Sequence, residues 1–257
     1  MAGTSPGAVY PDLEGKSVLV TGGGSGIGAA IVRAFVRQKA KVGFIDIAEA
    51  PSQTLVAKLA GERSGVRFAK ADIRDIAALR AAIAALTEAL GAADVLINNV
   101  GNDERHATAA VTPDFFDDRI AVNLRPAFFA AQAVLPEMQK KGGGVIINFS
   151  SISWMAGIGG MAVYTAAKSA MLGLTRSLAR DYGAYNIRVN AIAPGWVKTE
   201  RQLAKWLTPE ADRQRLEAQC LKRWVEPDDI ARFCVFLASD DASACTAQHY
   251  VIDAGWV

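Results

Sequence analysis

Apolar residues along this chain fall into short β-branched runs separated by longer stretches in which Ala and Leu recur at helical spacing. The runs at 17–21, 41–46, 66–72, 94–99, 144–150, 187–193 and 250–253 predict seven strands. Most are apolar throughout, as strands covered on both faces must be. Between them the pattern predicts helices at 26–38, 75–90, 113–140, 163–182 and 227–239, each long enough for a right-handed crossover to a parallel strand. Pro136 is expected to kink or end the third of these. The alternation implies an α/β chain with a doubly wound, seven-stranded parallel sheet and helices on both faces. No repeat, low-complexity tract or linker divides it, so residues 1–257 are read as one catalytic domain with a loose N-terminal arm at 1–14. The segment at about 199–223 breaks the alternation after a Pro-Gly and is a candidate lid on the substrate side.

Composition narrows the class. The chain has 257 residues, 51% of them hydrophobic, which is ample for one large core. Lys and Arg number 28 against 26 Asp and Glu, and no basic run occurs, so neither a nucleic-acid nor a membrane partner is expected. No apolar run approaches the ~20 residues needed to cross a bilayer. The first ten residues lack the basic and apolar regions of an export signal. Cys220, Cys234 and Cys245 form no CxxC pair and have no His at ligand spacing, so no metal is expected and the compartment is read as reducing and cytoplasmic.

The first strand runs directly into Thr21-Gly22-Gly23-Gly24-Ser25-Gly26-Ile27-Gly28 and then a helix. Strand, glycine turn and helix is the context in which a backbone approaches a pyrophosphate and offers it free N–H groups, the phosphate turn of a Rossmann fold. Glycine clusters also serve ordinary turns, so it is the position of this one that carries the reading. The second strand ends in Asp46, 18 residues beyond Gly28, close to the ~20-residue offset at which a carboxylate accepts from the adenosine ribose. The same charge would repel a 2′-phosphate, and no Lys or Arg at 21–28 or 47–50 offsets it. NAD is therefore expected, with NADP disfavoured. Asp72, ending the third strand, is placed to accept from the adenine amino group.

Tyr164 and Lys168 are four apart in a helical stretch, hence on one face. A neighbouring ammonium favours the phenolate and would bring a tyrosine base, pKa ~10 when unperturbed, closer to neutral pH. Ser151, at a strand end, could hydrogen-bond the reacting oxygen. Together, TGGGSGIG, Asn98-Asn99-Val100-Gly101, Asn123, Ser151, YTAAK and Pro194-Gly195-Trp196-Val197-Lys198-Thr199 occur in the order and spacing of the short-chain dehydrogenase/reductases, which the chain resembles over essentially its whole length. Val100, where that family commonly has Ala, is the one small departure. The resemblance implies a catalytic set of Asn123, Ser151, Tyr164 and Lys168. Tyr164 would be the acid/base, Ser151 would orient the substrate oxygen, Lys168 would lower the Tyr164 pKa and hold the nicotinamide ribose, and Asn123 would support a relay water. It further implies Val197 and Thr199, beside Pro194 and Gly195, at the carboxamide, and Asn99 with Gly101 along the adenosine ribose.

Three loops could select the substrate: Asn102 to His106, Ser151 to Trp154, and Thr199 to Gln202 with Trp206. They are rich in hydrogen-bonding groups, and Trp154, Trp196 and Trp206 offer flat apolar faces, a combination suited to a polyhydroxylated ring. Polar loops are also commonly just solvated. GNDERH, INFSSISW, PGWVKTERQ, AQCLKR and IDAGWV further resemble the bacterial aldose 1-dehydrogenases of this family. That resemblance implies hydride transfer from C1 of an aldopyranose to NAD, giving an aldonolactone, with Ser151, Ser153, Tyr164, Asn102 and Trp154 against the sugar. Oxidation of a sugar-acid or deoxy-sugar secondary alcohol, and 3-oxoacyl or other carbonyl reduction, stay open as alternatives. A non-catalytic dinucleotide sensor would not need Ser151, Tyr164, Lys168 and Asn123 together. The resemblance also implies a homotetramer, with the Ala-rich helices at 113–139 and 163–180 as packing faces and 250–257 reaching a neighbour.

Overall fold

The computed structural model describes residues 7–61 and 65–257. Seven strands, β1 (Ser17–Thr21), β2 (Lys41–Asp46), β3 (Val66–Lys70), β4 (Val95–Asn98), β5 (Gly144–Phe149), β6 (Ile187–Pro194) and β7 (His249–Ile252), form one sheet in the order β3-β2-β1-β4-β5-β6-β7. Every pairing is parallel. The strand order reverses between β1 and β4, and loops from the C-terminal strand ends diverge there, leaving a crevice.

Alternation within the strands sorts the helices onto two faces. Val18 and Val20 of β1 point into one core with Val42, Phe44, Val95 and Ile97, covered by α1 (Gly26–Arg37) and α9 (Pro227–Ala238). Leu19 points the other way, into a core with Leu96, Ile146 and Val189, covered by α3 (Ile76–Leu90), α5 (Arg125–Lys141) and α6 (Ala162–Tyr182). Side chains such as Phe35, Ile31 and Ile97 are fully buried, as a sheet covered on both sides requires. Asp75 caps α3 by accepting from the Ala77 and Ala78 amides, and left-handed Gly142 closes α5.

Several expectations need correction. The single helix expected at 113–140 is two, α4 (Pro113–Asn123) and α5, separated at Leu124. Pro126 is the cause: it cannot donate back to residue 122, but it fits the first turn of a new helix. Pro136, the expected break, lies inside α5 without ending it. A helix α2 (Glu49–Leu59) follows β2, and the late segment contains α7 (Glu200–Lys205) and α8 (Pro209–Ala218). Residues 1–6 of the expected loose arm lie outside the described residues, but the rest of it is fastened. The Tyr10 amide donates to Gln38 Oε1, Gln38 Nε2 donates to the Ala8 carbonyl, and Leu13 is buried. Among the described residues, no helix is long and apolar enough to cross a membrane.

Candidate active site

The crevice at the strand-order reversal is a cleft of about 1070 Å³. At its base α1 begins at Ser25 without a side-chain cap, so its first amides are left to a ligand. Gly26 has φ +52, and a Cβ on Gly28 would lie 1.8 Å from the Gly22 carbonyl oxygen. The turn thus packs so closely on itself that no side chain fits at Gly28. Ser25, Gly26 and Ile27 all face the cleft. Asn99, expected along the ribose, lines the cleft and also holds this turn by donating through Nδ2 to the carbonyls of Thr21 (3.1 Å) and Gly22 (3.0 Å).

Asp46 stands at the end of β2 with its carboxylate fixed, Oδ2 accepting from the Gly24 amide (2.8 Å) and Oδ1 from Ala48 (2.9 Å). Lone pairs remain on both oxygens for a ribose diol. Asp72, the acceptor expected for adenine, lines the cleft with its carboxylate already engaged. Arg74 grips both of its oxygens and reaches across to Asp118, holding the Asp72 carboxyl below the usual range.

Farther along, β5 delivers Ser151 and the first turn of α6 delivers Tyr164, whose phenol lies close enough to the Ser151 hydroxyl to be stabilised by it when ionised. The Ser151 hydroxyl also accepts from the Ser153 amide at 3.2 Å. Lys168, one turn on, is buried, with Nζ donating to the carbonyls of Val100 and Phe149, both at 3.0 Å. Gly101 leaves room for that ammonium, since a Cβ there would sit only 3.1 Å from it. Lys168, expected to lower the Tyr164 pKa, is not among the groups that set it. Burial pushes the Tyr164 phenol up to about 12, opposed by the Ser151 hydrogen bond and by Arg105 and Arg201. Burial also pulls Lys168 down to about 8, and its ammonium lies 5.9 Å from the phenol ring centre.

Asn123 is buried behind the cleft. Its Oδ1 accepts from the Asn102 amide (2.7 Å) and its Nδ2 donates to the carbonyls of Asn102 (3.1 Å) and Arg119 (3.0 Å), so its visible work is to brace the loop after β4. Sequence reasoning missed a second brace: Asn98 Nδ2 donates to Asn148 Oδ1 and Asn148 Nδ2 to Thr175 Oγ1, linking β4, β5 and α6 below the site. Two Asn ending apolar strands in register were the available signal.

On the carboxamide side, Pro194 and Gly195 line the cleft, and a Cβ on Gly195 would meet the Asp253 backbone at 2.7 Å. Val197 is buried, and Thr199 caps α7 by accepting from the Gln202 amide. The candidate lid is tied across the cleft. Arg201 donates to Asn102 Oδ1 (2.9 Å) and Asp103 Oδ1 (3.2 Å), while Gln202 donates to Asp103 Oδ2 (2.8 Å) and accepts from the Trp196 indole (2.9 Å). Trp206 also lines the cleft, with the Arg105 guanidinium 5.1 Å from its ring centre. Ser153 is among the lining residues, but its hydroxyl is buried and unpartnered. Trp154 does not line the cleft: it leans on His249 and its indole donates to Ser150 Oγ. Trp256 of the C-terminal segment lines it instead, an arrangement that only the path of the chain after β7 could reveal.

A glycine turn at an uncapped helix start, a carboxylate ending β2 and a Ser-Tyr-Lys cluster meet in one cleft, the equipment that hydride transfer between a dinucleotide and a hydroxyl-bearing carbon calls for. Comparisons with known proteins agree. A family profile described as enoyl-(acyl carrier protein) reductase matches residues 22–257. The D-xylose 1-dehydrogenase of Caulobacter vibrioides is 49% identical over 97% of this chain and 98% of its own length. A Rhizobium meliloti protein named "Probable galactose dehydrogenase GalD" is 49% identical over 98% and 99%. A short-chain dehydrogenase/reductase mutant from Serratia marcescens superposes with a TM-score of 0.89 at 35% identity, over 95% of this chain and 99% of that one. Motifs, sheet order, site geometry and relatives converge: the chain is an oxidoreductase of the short-chain dehydrogenase/reductase family, whose fold binds a nicotinamide dinucleotide.

Proposed function

We propose that the protein oxidises an aldopyranose at C1, passing hydride to NAD and releasing an aldonolactone. The observation that carries this reading is the rim around Tyr164, in which Asn102, Asp103, Arg105, Arg201 and Gln202 surround the reacting position with hydrogen-bonding groups. A rim of that kind reads hydroxyls, whereas an acyl chain or a steroid needs an apolar wall. The two sugar dehydrogenases among its relatives support the same reading.

Bound NAD supplies the hydride acceptor. The rest is done by the protein. A cyclic hemiacetal carries both a hydrogen and a hydroxyl at C1, so no ring opening is needed. As the C1 hydrogen leaves with its electron pair, the Tyr164 phenolate takes the O1 proton and a C1=O bond forms. Ser151, beside Tyr164 in the cleft, orients O1, and Lys168 holds the carbonyls of Val100 and Phe149 on either side of the site. Trapping the product with hydroxylamine tests the position of attack: a hydroxamate identifies a lactone, and a keto-sugar product would replace C1 with a ring carbon bearing a secondary alcohol.

Ser153 and Asn102 are the proposed hydroxyl contacts. Asn102 keeps its Nδ2 donor free of the Arg201 contact, and the Ser153 hydroxyl has no protein partner. Each Ala variant is expected to raise the sugar KM about five- to ten-fold, the loss of one neutral hydrogen bond, with kcat little changed. Unaltered KM in both variants would remove them from the sugar site.

The assembly we propose is a homotetramer in the cytoplasm. Phe116 on α4 and Phe128 on α5 are 45% and 46% exposed, which suits burial against a second copy. Light scattering should give four times the chain mass, and a monomer mass would refute the assembly.

A further inference from the structure

His106 lies in the loop after β4, outside the catalytic set, and makes three directed contacts. Its backbone amide donates to the Gly160 carbonyl (2.8 Å), its Nε2 faces the Val163 amide (3.3 Å) and its Nδ1 faces the Glu104 carbonyl (3.1 Å). One protonation state satisfies both ring contacts. Nδ1 must carry the hydrogen to donate to a carbonyl, and Nε2 must keep its lone pair to accept from an amide. The ring packs edge-on against Phe115 (5.0 Å between centres), over which the Arg119 guanidinium lies at 5.3 Å, and the Arg119 carbonyl is held by Asn123.

What His106 grips is the start of α6. The N-cap position there is Met161, which makes no side-chain capping bond. The approach, 157–160, contains Gly157, Gly159 and Gly160, two of them at positive φ, and so has little intrinsic preference for one path. Val163 is the second residue of the helix, and Tyr164 follows it. A helix entered through glycines and lacking its own cap needs an outside acceptor to fix where its first turn begins.

We propose that His106 is a positioning residue: its Nε2 caps α6 from another loop and thereby sets the Tyr164 hydroxyl against Ser151. The inference rests on Tyr164 being the proton acceptor. His106 is not one of the residues that line the cleft. It acts through the backbone of Val163, one residue from the reacting group.

Two variants separate positioning from mere support. His106→Leu fills the space without an acceptor, whereas His106→Gln returns an amide oxygen to about the reach of Nε2. With D-xylose and NAD, His106→Leu is expected to lower kcat by about 10- to 100-fold, the scale of a slightly misplaced catalytic group, with sugar and NAD KM within about threefold of wild type. His106→Gln should recover most of that loss. Amide hydrogen exchange needs no substrate. The peptide covering 161–166 should exchange at least about tenfold faster in His106→Leu and return toward wild type in His106→Gln, while the rest of α6 is unchanged. Wild-type kcat and exchange in His106→Leu would overturn the proposal. So would a Gln variant as slow in turnover as Leu despite restored exchange. Exchange changes as expected, in a protein that oxidises no aldose, would uphold the cap and reject the substrate reading alone.

Discussion

Replacing Tyr164 with Phe should abolish turnover, by at least about a thousand-fold, while NADH still binds with close to wild-type affinity. The substitution removes one oxygen, the phenol hydroxyl that shares the cleft with Ser151. The surrounding geometry does not depend on it. Lys168 is held by the carbonyls of Val100 and Phe149, Asn123 by Asn102 and Arg119, and the phosphate turn by Asn99, none of which involves the phenol. Burial pushes the phenol up to about 12, so below that pH the protonated form dominates in the free protein. Oxidation requires the deprotonated form, and the wild-type rate is therefore expected to rise with pH across the neutral and mildly alkaline range. Stopped assays of wild type and variant, with fluorescence titration of NADH, read both halves. Substantial residual rate in Tyr164→Phe would remove Tyr164 from its role.

The second large effect is expected at Asp46. Its carboxylate is held by the Gly24 and Ala48 amides at the end of β2, and the proposed NAD preference assigns its remaining lone pairs to the adenosine ribose. Asp46→Ala removes a charged acceptor, worth about 1.5–3 kcal/mol when hydrogen-bonded, and the repulsion that a 2′-phosphate would meet. The ratio of kcat/KM for NAD over NADP should fall by about 100-fold or more. Asp46→Asn keeps the shape and loses the charge, so it should fall between the two. An unchanged ratio in Asp46→Ala would refute the assignment of cofactor preference to this residue.

The sheet was legible because its strands are apolar on both faces and its helices sit between them at crossover spacing. The phosphate turn and the Tyr164–Lys168 pair were legible for the same local reason: both depend on residues adjacent in sequence or one helical turn apart. Long-range effects were not. Nothing near Pro136 distinguishes it from Pro126 as a breaker, yet Pro126 separates α4 from α5 and Pro136 is absorbed. Trp154 looked available for sugar but turns to Ser150 and His249, a choice made by β7, nearly a hundred residues later. The direction of the Tyr164 shift was not legible because helical spacing reveals a neighbouring lysine but not how far the surrounding protein desolvates the phenol. Asp103 and His106 were visible only as polar loop residues. Their partners, Arg201, Gln202 and Val163, arrive from segments far along the chain.

The most direct test of C1 oxidation is NADH absorbance with purified protein, NAD and D-xylose, L-arabinose or D-galactose, beside the anhydro analogue of xylose that lacks only the C1 hydroxyl. Aldose-dependent NADH formation with no signal from the analogue is the predicted result. NADH formed from the analogue, a sugar acid or a simple secondary alcohol, with silence from every aldose, would keep the dehydrogenase and contradict the substrate.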